Sequence, residues 1–391
     1  MTNSLKSYAL EACAACALAL LAGCGGKVDP AREFASGRSA FENRDWKKAA
    51  QHYRKGLEAS PEDVDALMML ARCDLALGEI DSAAESVAKV AGTNGSDVDV
   101  MELGAQIAFY RKDYDAASKA YERIANDESL SPAERAVGWA GLGVVDYMQI
   151  SMNPARPELR DKARTELLRA TQLDKLNAPA RYHLGLLYRD SFGFVEAAKE
   201  QFDFFVHLNS KDVVDERVQN VQHVIMPKLR EEIARKAASR PGVAKRDSVG
   251  CTAILAKADA LRKSGNLKGA RAAYEEALRK DVLSYPAAVN LARVIEESDK
   301  SKTGAKDAYK AYRTACELSP GDVKSHIAAG NLAIKTEQFA SAVLLYSRAV
   351  ASNPTDTTAI DGLIRALRRS NNAKSAAVYQ HYRDTLPKRK K

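Results

Sequence analysis

The chain has 391 residues, of which 46% are hydrophobic and 28% are charged, and its formal net charge is +8 with an isoelectric point of about 9.0. These proportions are ordinary for a soluble folded protein. A modest positive excess suits anionic surfaces or acidic partners, but it does not by itself indicate nucleic-acid binding. The sequence contains no recognisable RNA- or DNA-binding motif, so we expect no nucleic-acid partner.

The first two dozen residues have the pattern of an export signal. A short polar start containing Lys6 precedes an apolar stretch from Ala12 to Ala22, which is too short to span a bilayer. The stretch ends in Leu-Ala-Gly-Cys at 21–24, which resembles the bacterial lipobox. The resemblance implies diacylglyceryl transfer to Cys24, removal of residues 1–23 and acylation of the new amino terminus.

An anchor of this kind would hold a soluble domain on a membrane through the acyl chains on Cys24. Residue 25 is glycine rather than aspartate, which by resemblance to lipoproteins of two-membrane bacteria implies sorting to the outer membrane, facing the periplasm. The alternative is an uncleaved apolar amino terminus that contains a cysteine by chance.

The cysteines predict neither a metal site nor a disulfide framework. Cys13 and Cys16 lie inside the leader, and the body of the chain keeps Cys73, Cys251 and Cys316 at wide spacings. This number is odd and the spacing fits no zinc motif. We interpret Cys316 as a buried core thiol, and we expect no metal and no cofactor.

A repeat of 34 residues organises the rest of the chain. Four residues that end one unit recur at this spacing in the next: Ala308, Tyr312, Ala315 and Pro320 each precede Ala342, Tyr346, Ala349 and Pro354 by 34 positions. Small residues allow two helices to approach closely, aromatic residues fill the space between them, and a proline ends the unit. The pattern resembles the tetratricopeptide repeat (TPR). The resemblance implies an all-α fold, a right-handed α-solenoid of helix–turn–helix repeats.

We predict five repeats in an N-terminal array at 24–211 and four in a C-terminal array at 251–391. The predicted units begin near 30, 64, 98, 132, 178, 251, 285, 323 and 357. The fourth unit begins at Pro132, a favourable first-turn residue, and carries about eight additional residues, which we place in a loop at 151–157. The last unit matches loosely, as expected of a cap whose outer face meets water.

Residues 212–250 do not fit the repeat. Apolar residues spaced by three or four predict a helix from Val213 to Ala238, which Pro227 should kink, and 243–250 reads as a linker. We interpret this non-repeat segment as the boundary between the two arrays. Its basic residues either contact lipid headgroups or an acidic partner, or form an ordinary solvated helix face.

The resemblance also implies a partner-binding groove lined by the first helices of the repeats. Projecting the period places an apolar set in the N-terminal array, suited to an apolar helix: Met68, Phe109, Tyr110 and Tyr147. It places a mostly basic set in the C-terminal array, suited to an acidic peptide or a carboxyl terminus: Arg262, Lys263, Arg293, Asn331, Lys335 and Arg368. Chaperone-binding relatives clamp a carboxylate with lysine and asparagine. Asn331 fits one such position, but Ile327 stands where a lysine is needed.

The sequence shows no phosphate-binding loop, no zinc-protease motif and no nucleophile–base pair. We therefore expect a non-enzymatic, membrane-anchored interaction scaffold of the bacterial cell envelope, without a small-molecule substrate. It would support assembly of an envelope, secretion, pilus or polysaccharide-export complex. The alternatives are a cytoplasmic TPR regulator or co-chaperone, if the lipobox is accidental, and a non-catalytic subunit of an envelope enzyme.

Overall fold

The structure is a computed structural model that describes residues 28–150, 152–153, 156–210, 215–239 and 246–387. Within these ranges every regular element is a helix, which confirms the all-α prediction. The lipobox with Cys24, part of the 151–157 loop, residues 243–245 of the predicted linker and the Lys388–Lys391 tail lie outside the described residues. The end of that predicted linker is helical, because a helix begins at Ser248. None of the helices described is long and apolar enough to cross a membrane.

The chain forms two compact units, which divide between Ala120 and Tyr121. In the first unit, consecutive helices pack against each other as pairs. Its helices are α1 (Pro30–Glu42), α2 (Trp46–Ala59), α3 (Val64–Leu77), α4 (Ile80–Asn94), α5 (Val98–Tyr110) and α6 (Tyr114–Asn126), of which α6 crosses the division.

The second unit contains the remaining helices. They are α7 (Pro132–Ile150), α8 (Pro157–Leu173), α9 (Ala178–Leu187), α10 (Val195–Leu208), α11 (Glu216–Asn220), α12 (Met226–Ala238), α13 (Ser248–Lys263), α14 (Leu267–Lys280), α15 (Tyr285–Ser298), α16 (Lys302–Leu318), α17 (Val323–Lys335), α18 (Phe339–Ser352), α19 (Thr357–Arg369) and α20 (Ala373–Thr385). Two π-helical turns, Tyr188–Phe192 and Val221–Ile225, follow α9 and α11. These pairs coincide with the predicted repeats.

The turns between repeats form as the sequence predicts. Asp63, Asp322 and Asp356 each follow a proline turn, and each side chain accepts a hydrogen bond from the backbone amide three residues later, at 2.8, 3.2 and 3.0 Å. Such caps satisfy amides that have no partner inside the helix. The additional length of the fourth repeat is partly helical, because α7 continues to Ile150 and α8 begins at Pro157.

The aromatic residues of the repeat fill the space that its glycines leave. A β-carbon on Gly330 of α17 would lie 2.8 Å from the ring of Tyr346 in α18, and one on Gly362 of α19 would lie 2.1 Å from the same ring. Real β-carbons do not approach that closely, so only glycine allows both first helices to contact Tyr346. The ring is fully buried as a result.

The non-repeat segment is packed into the second unit rather than standing between two units. Val218, Val221, Ile225 and Leu229 are buried, and α12 packs against α10. Pro227 lies in the first turn of α12, directly after the π-helical turn. A proline is tolerated there because a first-turn amide has no partner within its own helix.

One face of the last helix packs against an earlier part of the chain. Helix α20 packs against α8, about 200 residues earlier, so the second unit closes on itself. Tyr379 and Tyr382 are almost completely buried in this contact. Ala377, His381 and Asp384 of the same helix are exposed. No local pattern encodes the long-range contact, and the cap assigned to the last repeat stays a prediction.

Candidate functional site

The residues of the predicted apolar groove set of the N-terminal repeats differ in exposure. Met68 is 7% exposed and packs in the core of the first unit, so it offers little surface to a partner. Phe109 lies at the end of α5 beside Tyr110 and Tyr114, with ring centroids 5.7 Å apart in both pairs. Tyr110 is 52% exposed. What remains for a partner in this unit is an aromatic corner, defined by these three residues.

Tyr147, the fourth member of that set, is engaged within the second unit. Its hydroxyl donates a hydrogen bond of 3.1 Å to a carboxylate oxygen of Asp190, and its ring meets His183 edge-on at 6.0 Å. Burial, and then the neighbouring Asp190 carboxylate, raise the pKa of Tyr147 to about 12. We therefore assign Tyr147 to the contact between α7 and α9.

The first helices of the C-terminal repeats carry polar side chains that buried tyrosines hold in place. The hydroxyl of Tyr312 donates to Glu296 at 2.9 Å, and that of Tyr346 donates to Asn331 at 2.6 Å. The Tyr274 hydroxyl donates to Asp259 in the same way. Each tyrosine comes from the second helix of its own repeat and each acceptor from the first. Asp259, Glu296 and Asn331 therefore form a row of polar side chains along successive repeats, which we call the first-helix row.

The cations predicted for this row are largely paired. Arg262 donates from Nε to Glu297 at 3.2 Å and also from Nη2, which lowers the pKa of Glu297. Arg293 donates to Asn290 at 3.2 Å, and Arg368 donates to Gln380 at the same distance. Lys263 and Lys335 are exposed. The carboxylates of Asp259, Glu296 and Glu297 lie on the same helices, so the row has mixed charge rather than the basic character expected from sequence.

The basic residues of the non-repeat segment are also mostly engaged or solvated. Arg246 forms two hydrogen bonds to the carboxylate of Asp281, at 2.7 and 3.1 Å, and this pairing lowers the pKa of Asp281. Lys236 pairs with Glu232 one turn earlier at 2.8 Å. Within the described residues, Lys228, Arg230 and Arg235 are exposed. This favours the interpretation of a solvated helix face.

The contact between α8 and α20 is a polar seam that sequence analysis missed. The Tyr379 hydroxyl donates to Asp161 at 2.8 Å, and Arg169 donates to the carbonyl oxygen of Thr385 at 3.0 Å. Gln172 donates to the Tyr382 hydroxyl. Sequence patterns could not reveal these pairs, because their members lie more than 200 positions apart.

A cleft of about 440 Å³ lies beside the seam. It is lined by apolar and polar side chains of α7, α8 and α20, among them Trp139, Leu142, Lys162, Glu166, Val378 and Tyr382. Lys162 lies 3.1 Å from a carboxylate oxygen of Asp146 and 3.5 Å from one of Glu166. Burial and the nearby Asp146 raise the pKa of Glu166. The size is that of a small-ligand pocket.

The described residues contain no cluster of histidine, cysteine or acidic side chains that could hold a metal ion. Three cysteines of the body, Cys73, Cys251 and Cys316, are buried free thiols, which confirms the interpretation of Cys316 as a core residue.

Two stretches of the sequence match models of the tetratricopeptide repeat, at residues 40–107 and 255–323. Solved structures similar to this chain include a crystal structure of the MamA protein, at 22% identity and a TM-score of 0.32, which covers 48% of this chain and 95% of that one. Another is the TPR domain of P58(IPK), at 14% identity and a TM-score of 0.27, which covers 88% of this chain and 99% of that one. No curated protein matches the sequence.

The matched stretches cover α2 to α5 and α13 to α16. Outside them, Gly185 of α9 meets the ring of Phe202 and Gly330 of α17 meets that of Tyr346, while Asp322 and Asp356 cap α17 and α19. This fold is typically a non-catalytic scaffold, since stacked helix pairs present extended surfaces for partners. The chain is a tetratricopeptide-repeat protein, a scaffold for protein–protein interaction.

Proposed function

We propose that the chain is a lipid-anchored, non-enzymatic scaffold of a bacterial cell envelope. It would bind partner peptides or helices on the first-helix row of the C-terminal repeats and so support assembly of an envelope, secretion, pilus or polysaccharide-export complex. The observation that carries this proposal is the row of polar side chains held by buried tyrosines. Groups oriented before binding lose little conformational entropy when a partner docks.

The mixed charge of the row determines what it would bind. A uniformly acidic carboxyl terminus would meet the carboxylates of Asp259 and Glu296 as well as the cations, and Arg262 already has a partner in Glu297. An extended or helical segment with hydrogen-bonding groups and charges of both signs fits better. The aromatic corner of the first unit would add apolar contact area.

Charge reversal separates a binding row from an ordinary solvated surface. Lys335 and Asn331 lie one turn apart on α17 and share a face. We expect Lys335→Glu combined with Asn331→Ala to reduce recovery of crosslinked partners from cells. The matched control is Lys310→Glu on α16, a second helix, which should leave recovery unchanged. Equal recovery from both variants would contradict the assignment of the row as the binding surface.

The lipid anchor is tested independently of the partner. We expect metabolic palmitate labelling of the wild-type chain and no labelling after Cys24→Ala. The Cys24→Ala protein should also fractionate away from membranes. A label that survives the substitution would remove the anchor from the proposal and favour a cytoplasmic regulator or co-chaperone.

A further inference from the structure

The side chain of Arg164 is completely buried inside the second unit. None of its three guanidinium nitrogens has a hydrogen-bond partner among the described residues. Removing a charged group from water without compensation costs several kcal/mol. An arginine in this situation needs a negative charge or acceptors close to it.

Aromatic rings supply part of the compensation. The guanidinium of Arg164 lies 4.9 Å from the ring centroid of Phe192 and 5.3 Å from that of Tyr379. A cation over an aromatic ring is attracted by the ring's electrons, and more strongly when it is desolvated. Arg160, one turn earlier on α8, lies 4.6 Å from the same Phe192 ring. Two guanidinium groups therefore share one ring.

The carboxylates nearby do not balance this charge. Asp161 is buried and accepts the hydrogen bond of Tyr379. Glu158, near the start of the helix, pairs with Arg156 and Lys374 at the surface. Counting Arg160, Arg164 and Arg169 against Asp161 leaves an excess of positive charge in the seam between α8 and α20.

Other unpaired donors belong to the same region. The hydroxyl of Tyr188, the first residue of the π-helical turn that follows α9, is buried without a partner in the described structure. So is the hydroxyl of Ser375, which is completely buried. Ser375 lies four residues before Tyr379 on α20, so both point towards α8. Buried hydroxyl groups normally have partners.

We propose that a monovalent inorganic anion of chloride size binds in this seam, where it accepts hydrogen bonds from Arg164, Tyr188 and Ser375. One such anion reduces the excess positive charge and satisfies donors on three different segments. It therefore ties α20 to α8 and secures the closure of the second unit. The site is separate from the first-helix row, and the proposal does not depend on the partner or the anchor.

The test compares chloride with gluconate, a bulky anion, in the full chain at constant ionic strength. A ligand that binds only the folded state raises the melting temperature as its concentration rises. We expect chloride to raise it and gluconate not to. We also expect chloride-35 NMR lines to broaden in the presence of the protein, which reports binding without reference to stability.

Arg164→Met should abolish both effects, while Arg369→Met at an exposed position should keep them. Tyr188→Phe and Ser375→Ala remove one donor each and should weaken chloride binding about tenfold or more, since a hydrogen bond to a charged group contributes that much. If Arg164→Met does not fold, the Tyr188→Phe and Ser375→Ala variants still test the proposal. Identical melting in both salts with no line broadening would overturn the proposal and leave Arg164 held by the aromatic rings alone.

Discussion

The hydroxyl of Tyr379 donates a hydrogen bond of 2.8 Å to a carboxylate oxygen of Asp161, although 218 positions of sequence separate the two residues. Both side chains are buried. The bond joins the last helix of the chain to α8. The closed form of the second unit therefore depends on polar pairs as well as on apolar burial.

Replacing Tyr379 by phenylalanine should measure the contribution of this bond. The substitution leaves Asp161 buried without its donor, so we expect the free energy of unfolding to fall by about 1–3 kcal/mol. Urea denaturation checks this value. The matched control is Tyr309→Phe, also in the second unit, whose hydroxyl has no hydrogen-bond partner in the described structure. Equal effects of the two substitutions would contradict a specific role for the Tyr379 hydroxyl.

A methyl group at Gly362 should destabilise the chain. The added β-carbon would lie 2.1 Å from the ring of Tyr346, which Gly330 confines from the other side. Overpacking of this kind costs about 1–3 kcal/mol. Gly104 in α5 is the control, because a β-carbon there meets nothing within 4 Å. Gly104→Ala should raise stability by about 0.5–1 kcal/mol. Thermal unfolding distinguishes the two, and a neutral Gly362→Ala would show that the ring can move.

The pH dependence of stability should contain an identifiable contribution from Glu166. Its folded-state pKa is raised by burial and by Asp146, so the folded chain binds this proton more tightly than the unfolded chain. The stability it contributes is present below the ordinary value of 4.5 and is lost as pH rises through the raised pKa. We therefore expect Glu166→Gln to gain stability relative to wild type as pH rises above 4.5.

Glu134 provides the comparison of opposite sign. Hydrogen bonds from Ser131 lower its pKa, so its contribution is present above 4.5 and is lost as pH falls through the lowered pKa. Urea denaturation from a pH below the lowered pKa of Glu134 up to neutrality, applied to Glu166→Gln and Glu134→Gln, checks both signs. A constant difference between wild type and Glu166→Gln across this range would refute the assignment.

Chemical modification of the buried thiols should measure unfolding of the chain. Burial raises the pKa of both Cys73 and Cys316 to about 12, and the thiolate is the reactive form. We expect iodoacetamide to leave both unmodified in the native chain and to modify both in concentrated urea, as read by mass spectrometry of tryptic peptides. Leu176→Cys, at a position that is 69% exposed, is the positive control. Labelling of Cys73 at the rate of this control would mean that the first unit opens readily.

Much of the fold could be predicted because its signals are local. Pro320 and Asp322 lie two positions apart in sequence and act within one turn, so their roles as helix end and cap are readable without a structure. The 34-residue spacing similarly predicts that small and aromatic residues pack between the helices of a repeat, because the partners belong to neighbouring helices. The prediction of groove residues was less accurate, as the burial of Met68 shows. On a first helix, the positions that face the core and those that face a partner are separated by only one residue.

The sequence by itself determined the helix pairs, their turns and the small and aromatic residues packed between them, because each depends on residues within one or two repeats. Only the tertiary structure decided that α20 returns to α8, that Arg164 is buried between aromatic rings, and that Arg262 is neutralised by Glu297. The first two require side chains from opposite ends of the second unit to meet. The pairing of Arg262 with Glu297 depends on the angle between successive repeats. Small differences in packing determine that angle, and no sequence spacing reveals it.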